Sequence, residues 1–122
     1  NDKVKVIDKT NIRSLFLKDI DNRITFITCD LSFISITKAL LKIVKEKNKS
    51  LSLIALIKPQ FELNREKIGK NGIVVNETFR KEAVDRVINW FKSFNWNVSK
   101  AIESPIKGAK GNVEYFILCK NF

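Results

Sequence analysis

Three ionisable residues in this sequence stand at the ends of apolar, β-rich segments, where α/β proteins place their chemistry. Asp30 follows residues 24–29, Lys58 follows residues 51–57, and Glu114 lies at the start of residues 113–119. Ligands of open α/β sheets bind beyond the carboxyl ends of the parallel strands. An antiparallel strand begins at that same edge. The spacing therefore predicts that two acids and an amine meet at one rim of a sheet.

If the amine pairs with a carboxylate, the two form either a catalytic pair or a structural ion pair. Asp30 has the further alternative of capping a helix that begins near Ser32. Lys58 precedes Pro59 and has the alternative of an ordinary exposed lysine that ends a strand. Glu114 lies in a buried strand and needs a partner, for which Lys58 is the natural candidate.

Hydrophobic periodicity predicts the elements that position these residues. The predicted strands are Val4–Ile7, Ile24–Cys29, Leu51–Ile57, Trp96–Ile102 and Val113–Cys119. The predicted helices are Ser32–Lys49 and Glu77–Asn95. A long mobile loop is predicted over 60–76 and a second loop over Ser104–Gly111. The alternation of strands with helices indicates a parallel, doubly wound α/β sheet. The second loop is shorter than the dozen or so residues that a parallel crossover needs, so the last two strands must form an antiparallel pair. Such an ending is typical of the Rossmann-like methyltransferase fold, although the chain contains no glycine-rich strand-to-helix turn.

Composition narrows the classes of function. A length of 122 residues is typical of one domain. The formal net charge of +10 has two interpretations, a polyanionic partner or a generally lysine-rich composition, and composition alone favours neither. The absence of histidine excludes Ser-His-Asp and Cys-His nucleophiles and the commonest zinc sites. Cys29 and Cys119 lie in apolar runs, which favours buried, reduced thiols in a cytoplasmic protein. No apolar run is long enough for a membrane span or a signal peptide.

Four segments carry a resemblance to a known family. Asp30-Leu-Ser-Phe-Ile-Ser35, Ile57-Lys-Pro-Gln-Phe-Glu62, Ser104-Pro-Ile-Lys-Gly108 and Gly111-Asn-Val-Glu114, together with Thr10-Asn-Ile-Arg13, resemble the TlyA family in the same order along nearly the whole chain. Members of that family are FtsJ-like, S-adenosylmethionine-dependent 2′-O-ribose methyltransferases of ribosomal RNA, often labelled haemolysins. The resemblance implies a Rossmann-like fold whose parallel sheet ends in an antiparallel hairpin.

The resemblance also implies a position within a longer chain. The family carries an S4-like RNA-binding domain and a first strand with a glycine-rich cofactor loop, so residues 1–122 are expected to form the C-terminal part of the methyltransferase domain, with its N-terminal strands missing. The family's Lys-Asp-Lys-Glu tetrad maps its last three members onto Asp30, Lys58 and Glu114. Its first lysine would lie upstream of Asn1, so this chain alone is expected to be inactive.

The family's reaction implies a role for each residue. Lys58 is expected to be the general base, Asp30 and Glu114 to orient it and the hydroxyl, and Asn11 together with Asp30 to contact S-adenosylmethionine, with no metal required. The loop cations expected to bind RNA phosphates, each with the alternative of a solvated surface, are Arg65, Lys67, Lys70, Lys107 and Lys110. Phe61 could stack on a flipped base or anchor its loop to the core.

Two other classes of function compete with this one. A non-catalytic RNA-binding module would have no use for an amine flanked by two carboxylates. A membrane-active haemolysin could use the basic amphipathic helix from Ser32, but the fold needs that apolar stripe to cover its sheet. Ribosomal RNA or ribosomal subunits are the expected partners, and the open edge of the strand Ile24–Cys29 predicts a possible homodimer.

Overall fold

A computed structural model describes residues 2–17, 20–46 and 49–122. Its strands are β1 (Phe26–Cys29), β2 (Ser52–Ile57), β3 (Asn97–Val98), β4 (Ile102–Glu103) and β5 (Tyr115–Lys120), and its α-helices are α1 (Ile36–Ala39), α2 (Leu41–Lys45), α3 (Pro59–Glu62) and α4 (Glu77–Ser93). Single 3₁₀ turns lie at Ile12–Ser14, Arg65–Lys67, Lys70–Gly72 and Ala109–Gly111.

The strands form one mixed sheet in the order β1-β2-β5-β3, and β4 also pairs with β5. β1 and β2 are parallel, with Cys29 opposite Ala55. β5 runs antiparallel to β2 on one side and to β3 and β4 on the other. The predicted α/β class and its antiparallel ending are confirmed. The predicted strand Trp96–Ile102 is replaced by two short strands, β3 and β4.

The helices pack on one face of the sheet. Leu53, Ala55 and Ile57 of β2 alternate inward and are fully buried, and they share one core with the apolar residues of α1, α2 and α4. On the opposite face, Phe116 and Leu118 stay more than a third exposed. Within the described residues the sheet is therefore covered on one side.

Helix α4 follows the sequence prediction closely. Asn76 caps it by accepting hydrogen bonds from the backbone N–H groups of Thr78 and Phe79. The buried stripe of the helix is Ala83, Val84, Val87 and Phe91. It ends at Ser93 rather than Asn95, because Asn95 adopts a φ of 66°, which cannot continue a helix.

The predicted helix Ser32–Lys49 is wrong in its extent. Its start is displaced because Phe33 has a φ of 65° and Ser35, not an earlier residue, caps α1. Leu40, with φ −99° and ψ 7°, separates α1 from α2, and α2 ends at Lys45. Part of the predicted C-terminal turn, residues 47 and 48, lies outside the described residues.

Two further predictions are corrected. Val4–Ile7 is not a strand, because its β-branched residues remain exposed and no strand in the described part of the chain pairs with them. Residues 60–76, predicted to be a mobile loop, instead contain most of α3 and two 3₁₀ turns. A hydrogen bond of 3.0 Å from the backbone N–H of Val74 to Oδ1 of Asn112 ties this segment to the loop before β5.

Both cysteines are free and buried in the core. Burial raises the pKa of the Cys29 thiol to about 11 and that of Cys119 to about 12. Both side chains therefore behave as small apolar groups at neutral pH. Among the described residues, no helix is long and apolar enough to cross a membrane.

Candidate active site

The carboxyl ends of β1 and β2 bring Asp30 and Lys58 together. Nζ of Lys58 lies 2.7 Å from Oδ1 of Asp30 and donates a 3.2 Å hydrogen bond to Oγ of Ser32. The Lys58 side chain is 14% exposed, whereas that of Asp30 is 71% exposed. The helix-cap alternative for Asp30 does not apply, because Ser35 caps α1. The rim therefore holds a mostly buried amine with one carboxylate on its solvent side.

Glu114 leaves the sheet beside Lys58, because the antiparallel register pairs Ile57 with Tyr115. It is only 5% exposed. Its expected ion pair with Lys58 is not formed. Instead, Oε2 of Glu114 accepts a 2.9 Å hydrogen bond from Nε2 of Gln60, which is itself buried. The second acid is thus held by an amide at the start of α3.

Gly108 packs directly against the Glu114 carboxylate. A Cβ atom added to Gly108 would overlap Oε2 and Cδ of that side chain. The backbone of Gly108 has a φ of −78°, which any residue can adopt, so the glycine is required by space and not by conformation. The loop 104–111 therefore forms one wall of the Glu114 site.

Glu62 connects the loops that follow β1 and β2. Its carboxylate accepts hydrogen bonds from Oγ of Ser35 at 2.6 Å and from the backbone N–H of Ile36 at 2.8 Å. Burial raises the pKa of Glu62, and these two hydrogen bonds partly oppose the shift. The contact fixes the segment that carries Asp30 against the segment that carries Lys58.

Replacing Glu62 by alanine is expected to lower the free energy of unfolding by about 3 kcal/mol, because the buried N–H of Ile36 and the part-buried hydroxyl of Ser35 lose their acceptor. Because folding raises the pKa of Glu62, the stability it contributes is largest at acidic pH and is lost as the pH rises through the folded-state pKa. The destabilisation should be larger in mildly acidic than in mildly alkaline buffer. Urea unfolding followed by tryptophan fluorescence measures it, and the exposed Glu66→Ala is the matched control. Equal destabilisation in the two variants would contradict the role of Glu62.

Asn11 lies before the 3₁₀ turn Ile12–Ser14, and its Oδ1 accepts a 3.0 Å hydrogen bond from the backbone N–H of Arg13. Its side-chain amide nitrogen has no partner among the described residues. Asn11 thus shapes its own turn through its side-chain oxygen. Within the described ranges, no three acidic or thiol side chains are grouped closely enough to hold a metal ion.

The five loop cations divide into two groups. Lys67 is engaged, because its Nζ donates to both carboxylate oxygens of Glu82 at 2.6 and 2.8 Å. Lys110 joins two loops through a 2.7 Å hydrogen bond to the backbone oxygen of Asn71. The cations that are exposed and have no partner in the described part of the chain are Arg65, Lys70 and Lys107.

The structure adds residues that the sequence analysis passed over. Phe33 falls within the predicted helix Ser32–Lys49, but it lies before α1, is 88% exposed, and its ring contacts that of Phe61, with centroids 5.0 Å apart. The two rings border a shallow cavity of about 430 Å³ that Arg13 and Lys38 also line. The positive φ of Phe33 could not be read from the sequence. Gln60 lies two residues after Lys58, and an amide so close to the end of a strand is only weak sequence evidence for a site residue.

Comparison with known proteins identifies the family. The model of the FtsJ-like methyltransferase family matches residues 1–122, and the chain belongs to that family. It is 33% identical over 115 residues to the 16S/23S rRNA (cytidine-2′-O)-methyltransferase TlyA of Mycobacterium tuberculosis, covering 94% of this chain and 43% of that protein. It is 42% identical over 89 residues to Hemolysin A of Brachyspira hyodysenteriae, covering 73% of this chain and 37% of that protein.

A solved structure agrees with this assignment. A Lactococcus lactis protein labelled a hemolysin superposes with a TM-score of 0.92 at 32% identity, covering 100% of this chain and 59% of that one. The predicted TlyA resemblance is confirmed at the level of family and fold. The chain spans less than half the length of the curated relatives it matches.

Proposed function

We propose that this chain is the C-terminal part of the catalytic domain of a cytoplasmic, S-adenosylmethionine-dependent 2′-O-ribose methyltransferase that acts on ribosomal RNA. The observation that carries the proposal is the mostly buried Lys58 amine, 2.7 Å from Asp30 at the strand rim and beside the buried Glu114. An RNA-binding module gains nothing from that arrangement, whereas a proton transfer needs it.

In the proposed reaction bound S-adenosylmethionine would supply an electrophilic methyl group to the ribose 2′-oxygen, and its sulfur would leave as a thioether with the bonding electrons. Nζ of Lys58 takes the proton that the hydroxyl loses. Asp30 stabilises the resulting ammonium group of Lys58 through their ion pair. Glu114 orients the hydroxyl from the opposite side. Alignment of the reacting atoms by such groups can contribute about 7 kcal/mol or more.

The cofactor supplies the methyl group as an electrophile. Two groups of this chain fit its polar parts: the free amide nitrogen of Asn11 suits a ring or hydroxyl acceptor, and the exposed Asp30 carboxylate suits a donor. Neither residue encloses a nucleoside by itself. Asn11 and Asp30 would therefore line one side of the cofactor site.

RNA would reach the rim across the flanking loops. Arg65, Lys70 and Lys107 are free to contact phosphates, whereas Lys67 and Lys110 hold the loops in shape. The exposed Phe33 ring offers a flat surface for a base, supported from behind by Phe61. Among the described residues no strand pairs with the outer edge of β1, where Phe26 is half-exposed, and this supports a homodimer of the chain through that edge.

Neutralising Arg65, Lys70 and Lys107 together is expected to weaken RNA binding and to flatten its salt dependence. Each cation that binds a phosphate should contribute about 1 to the slope of log affinity against log salt, so its removal should reduce the slope by that amount. Fluorescence anisotropy with a ribosomal RNA fragment at several salt concentrations measures the slope. Lys92→Ala, which removes an exposed charge on α4, is the control. If the triple variant has the same slope as that control, the three cations are solvated surface charges that do not contact RNA.

A membrane-active haemolysin is the competing function, because one relative bears the name Hemolysin A. The apolar stripe that such an activity would need is buried in this fold, with Ile36, Leu40 and Ile43 each 3% exposed or less. Lysing a membrane would require α1 and α2 to leave the core. The folded chain therefore favours the methyltransferase.

The proposal is tested with the product of the full reading frame that encodes this chain. Labelled S-adenosylmethionine and unmodified ribosomal subunits are supplied to the wild type, to Asp30→Asn and to Asp85→Asn, a control acid on α4. The wild type and the control should label the RNA, and Asp30→Asn should be slower by about 10- to 100-fold. RNA binding without labelling by the wild type would instead indicate a binding module.

A further inference from the structure

Gln60 makes a buried contact that has no role in the proposed reaction as described above. Its side chain is 8% exposed, and its Nε2 donates the 2.9 Å hydrogen bond to Oε2 of Glu114. Its own Oε1 is buried without a hydrogen-bond partner, and within the described ranges no other buried side-chain oxygen or nitrogen is left in that state.

A requirement for stability alone does not explain this residue. A buried carbonyl oxygen without a donor destabilises the folded state, and an aliphatic side chain of similar size would avoid that cost. The amide cannot relieve the cost by rotating, because its oxygen would then face the Glu114 carboxylate. Local features that reduce stability in this way are typical of functional sites.

The Glu114 carboxylate is held from two sides. Gln60 binds Oε2, and Gly108 leaves no space on the same side of the carboxylate. Oε1 of Glu114 accepts no hydrogen bond from the described residues. Fixing one oxygen in this way sets the direction of the other.

We propose that Gln60 is a positioning residue that fixes the Glu114 carboxylate so that its second oxygen can orient the reacting hydroxyl. This inference rests on the proposed methyltransferase function. Gln60 acts through Glu114 and does not touch the reacting atoms. Its unpartnered Oε1 is a consequence of presenting Nε2 to the carboxylate.

The first test is Gln60→Leu in the full-length protein, with the exposed Asn64→Leu as control. The expected result is a kcat lower by about 10- to 100-fold with an unchanged KM for RNA. The urea midpoint should change little, because the substitution removes both a stabilising hydrogen bond and an unpartnered oxygen. A fall in activity that only parallels a fall in stability would overturn the proposal.

The second test is a double-mutant cycle. If Gln60 acts only through Glu114, Gln60→Leu should not slow a protein that already carries Glu114→Gln. Rate reductions that multiply would assign Gln60 a separate role and overturn the proposal.

Gln60→Glu supplies a readout that a merely structural residue would not change. At low pH the introduced acid can still donate a hydrogen bond to Glu114, and at high pH the two carboxylates repel each other. The activity of this variant relative to wild type should therefore fall as the pH rises. A constant ratio across the pH range would contradict positioning.

The failure of this inference can be distinguished from the failure of the proposed function. An inactive wild type would refute the methyltransferase, and the crystal structure of Gln60→Leu would then decide the contact on its own. A reoriented Glu114 carboxylate supports positioning by Gln60. A carboxylate that stays in place refutes it.

Discussion

Replacing Lys58 by arginine is expected to slow methyl transfer by about 10²- to 10⁴-fold. Arginine keeps the positive charge and can keep the ion pair with Asp30, which is 2.7 Å from Nζ in the wild type. It cannot lose a proton in a protein, so it cannot serve as the base. Lys58→Ala should be slowed to a similar degree, because it removes the base outright.

Comparing the two variants separates this role from simple charge pairing. If Lys58 must accept a proton, restoring the positive charge with arginine should not restore the rate. The single-turnover rates of Lys58→Arg and Lys58→Ala should therefore be similarly low. The control is Lys92→Ala, which removes an exposed lysine on α4 and should behave as wild type. If Lys58→Arg keeps near-normal activity, Lys58 serves as a fixed positive charge and not as a base.

Replacing Gly108 by alanine is expected to abolish most activity through a residue that does no chemistry. The added methyl group would occupy the space of the Glu114 carboxylate, so that carboxylate would have to leave its present position. A displacement of about 1 Å at a catalytic group can cost about 10²-fold in rate. Overpacking should also reduce stability by about 1 to 3 kcal/mol.

Gly111→Ala is the matched control on the same loop. Gly111 has a φ of 83°, so alanine there is strained, but nothing lies within 4 Å of the added Cβ. This variant should lose stability and keep its kcat. Comparing single-turnover rates and urea midpoints of the two variants separates displacement of Glu114 from general loop damage. Equal activity in the two variants would show that Glu114 need not be held in its present position.

The parts of the fold that the sequence predicts best have strong periodicity and local signals. Helix α4 has a buried stripe and an Asn76 cap, and both are visible as residue types at fixed spacing. β2 contains the continuous apolar run Leu53–Ile57, and the antiparallel pairing of β4 with β5 followed from loop length alone. In each case the physical cause acts within a few residues.

The errors arose where long-range packing decides the conformation. The run Val4–Ile7 has strand-forming residues but no pairing neighbour among the described residues. The break between α1 and α2 depends on the backbone of Leu40, and the displaced start of α1 depends on the positive φ of Phe33. Neither backbone conformation follows from residue type.

In the candidate site, too, local patterns were predicted correctly and three-dimensional contacts were not. The rim that brings Asp30 to Lys58 followed from strand order. The partner of Glu114 did not, because Gln60 competes with Lys58 for that carboxylate and only three-dimensional geometry decides between them. Spacing predicted which strand ends meet, but not which side chains bind each other.

The position of the transferred methyl group tests the central claim most directly. Labelled ribosomal RNA from the full-length wild type and from Lys58→Ala would be hydrolysed in alkali, which needs a free 2′-hydroxyl to cleave the chain. The proposed chemistry predicts label in alkali-resistant dinucleotides from the wild type, and about 10²- to 10⁴-fold slower accumulation from Lys58→Ala under conditions where that variant still binds RNA. Label released as mononucleotides, or equal resistant label from both proteins, would contradict it.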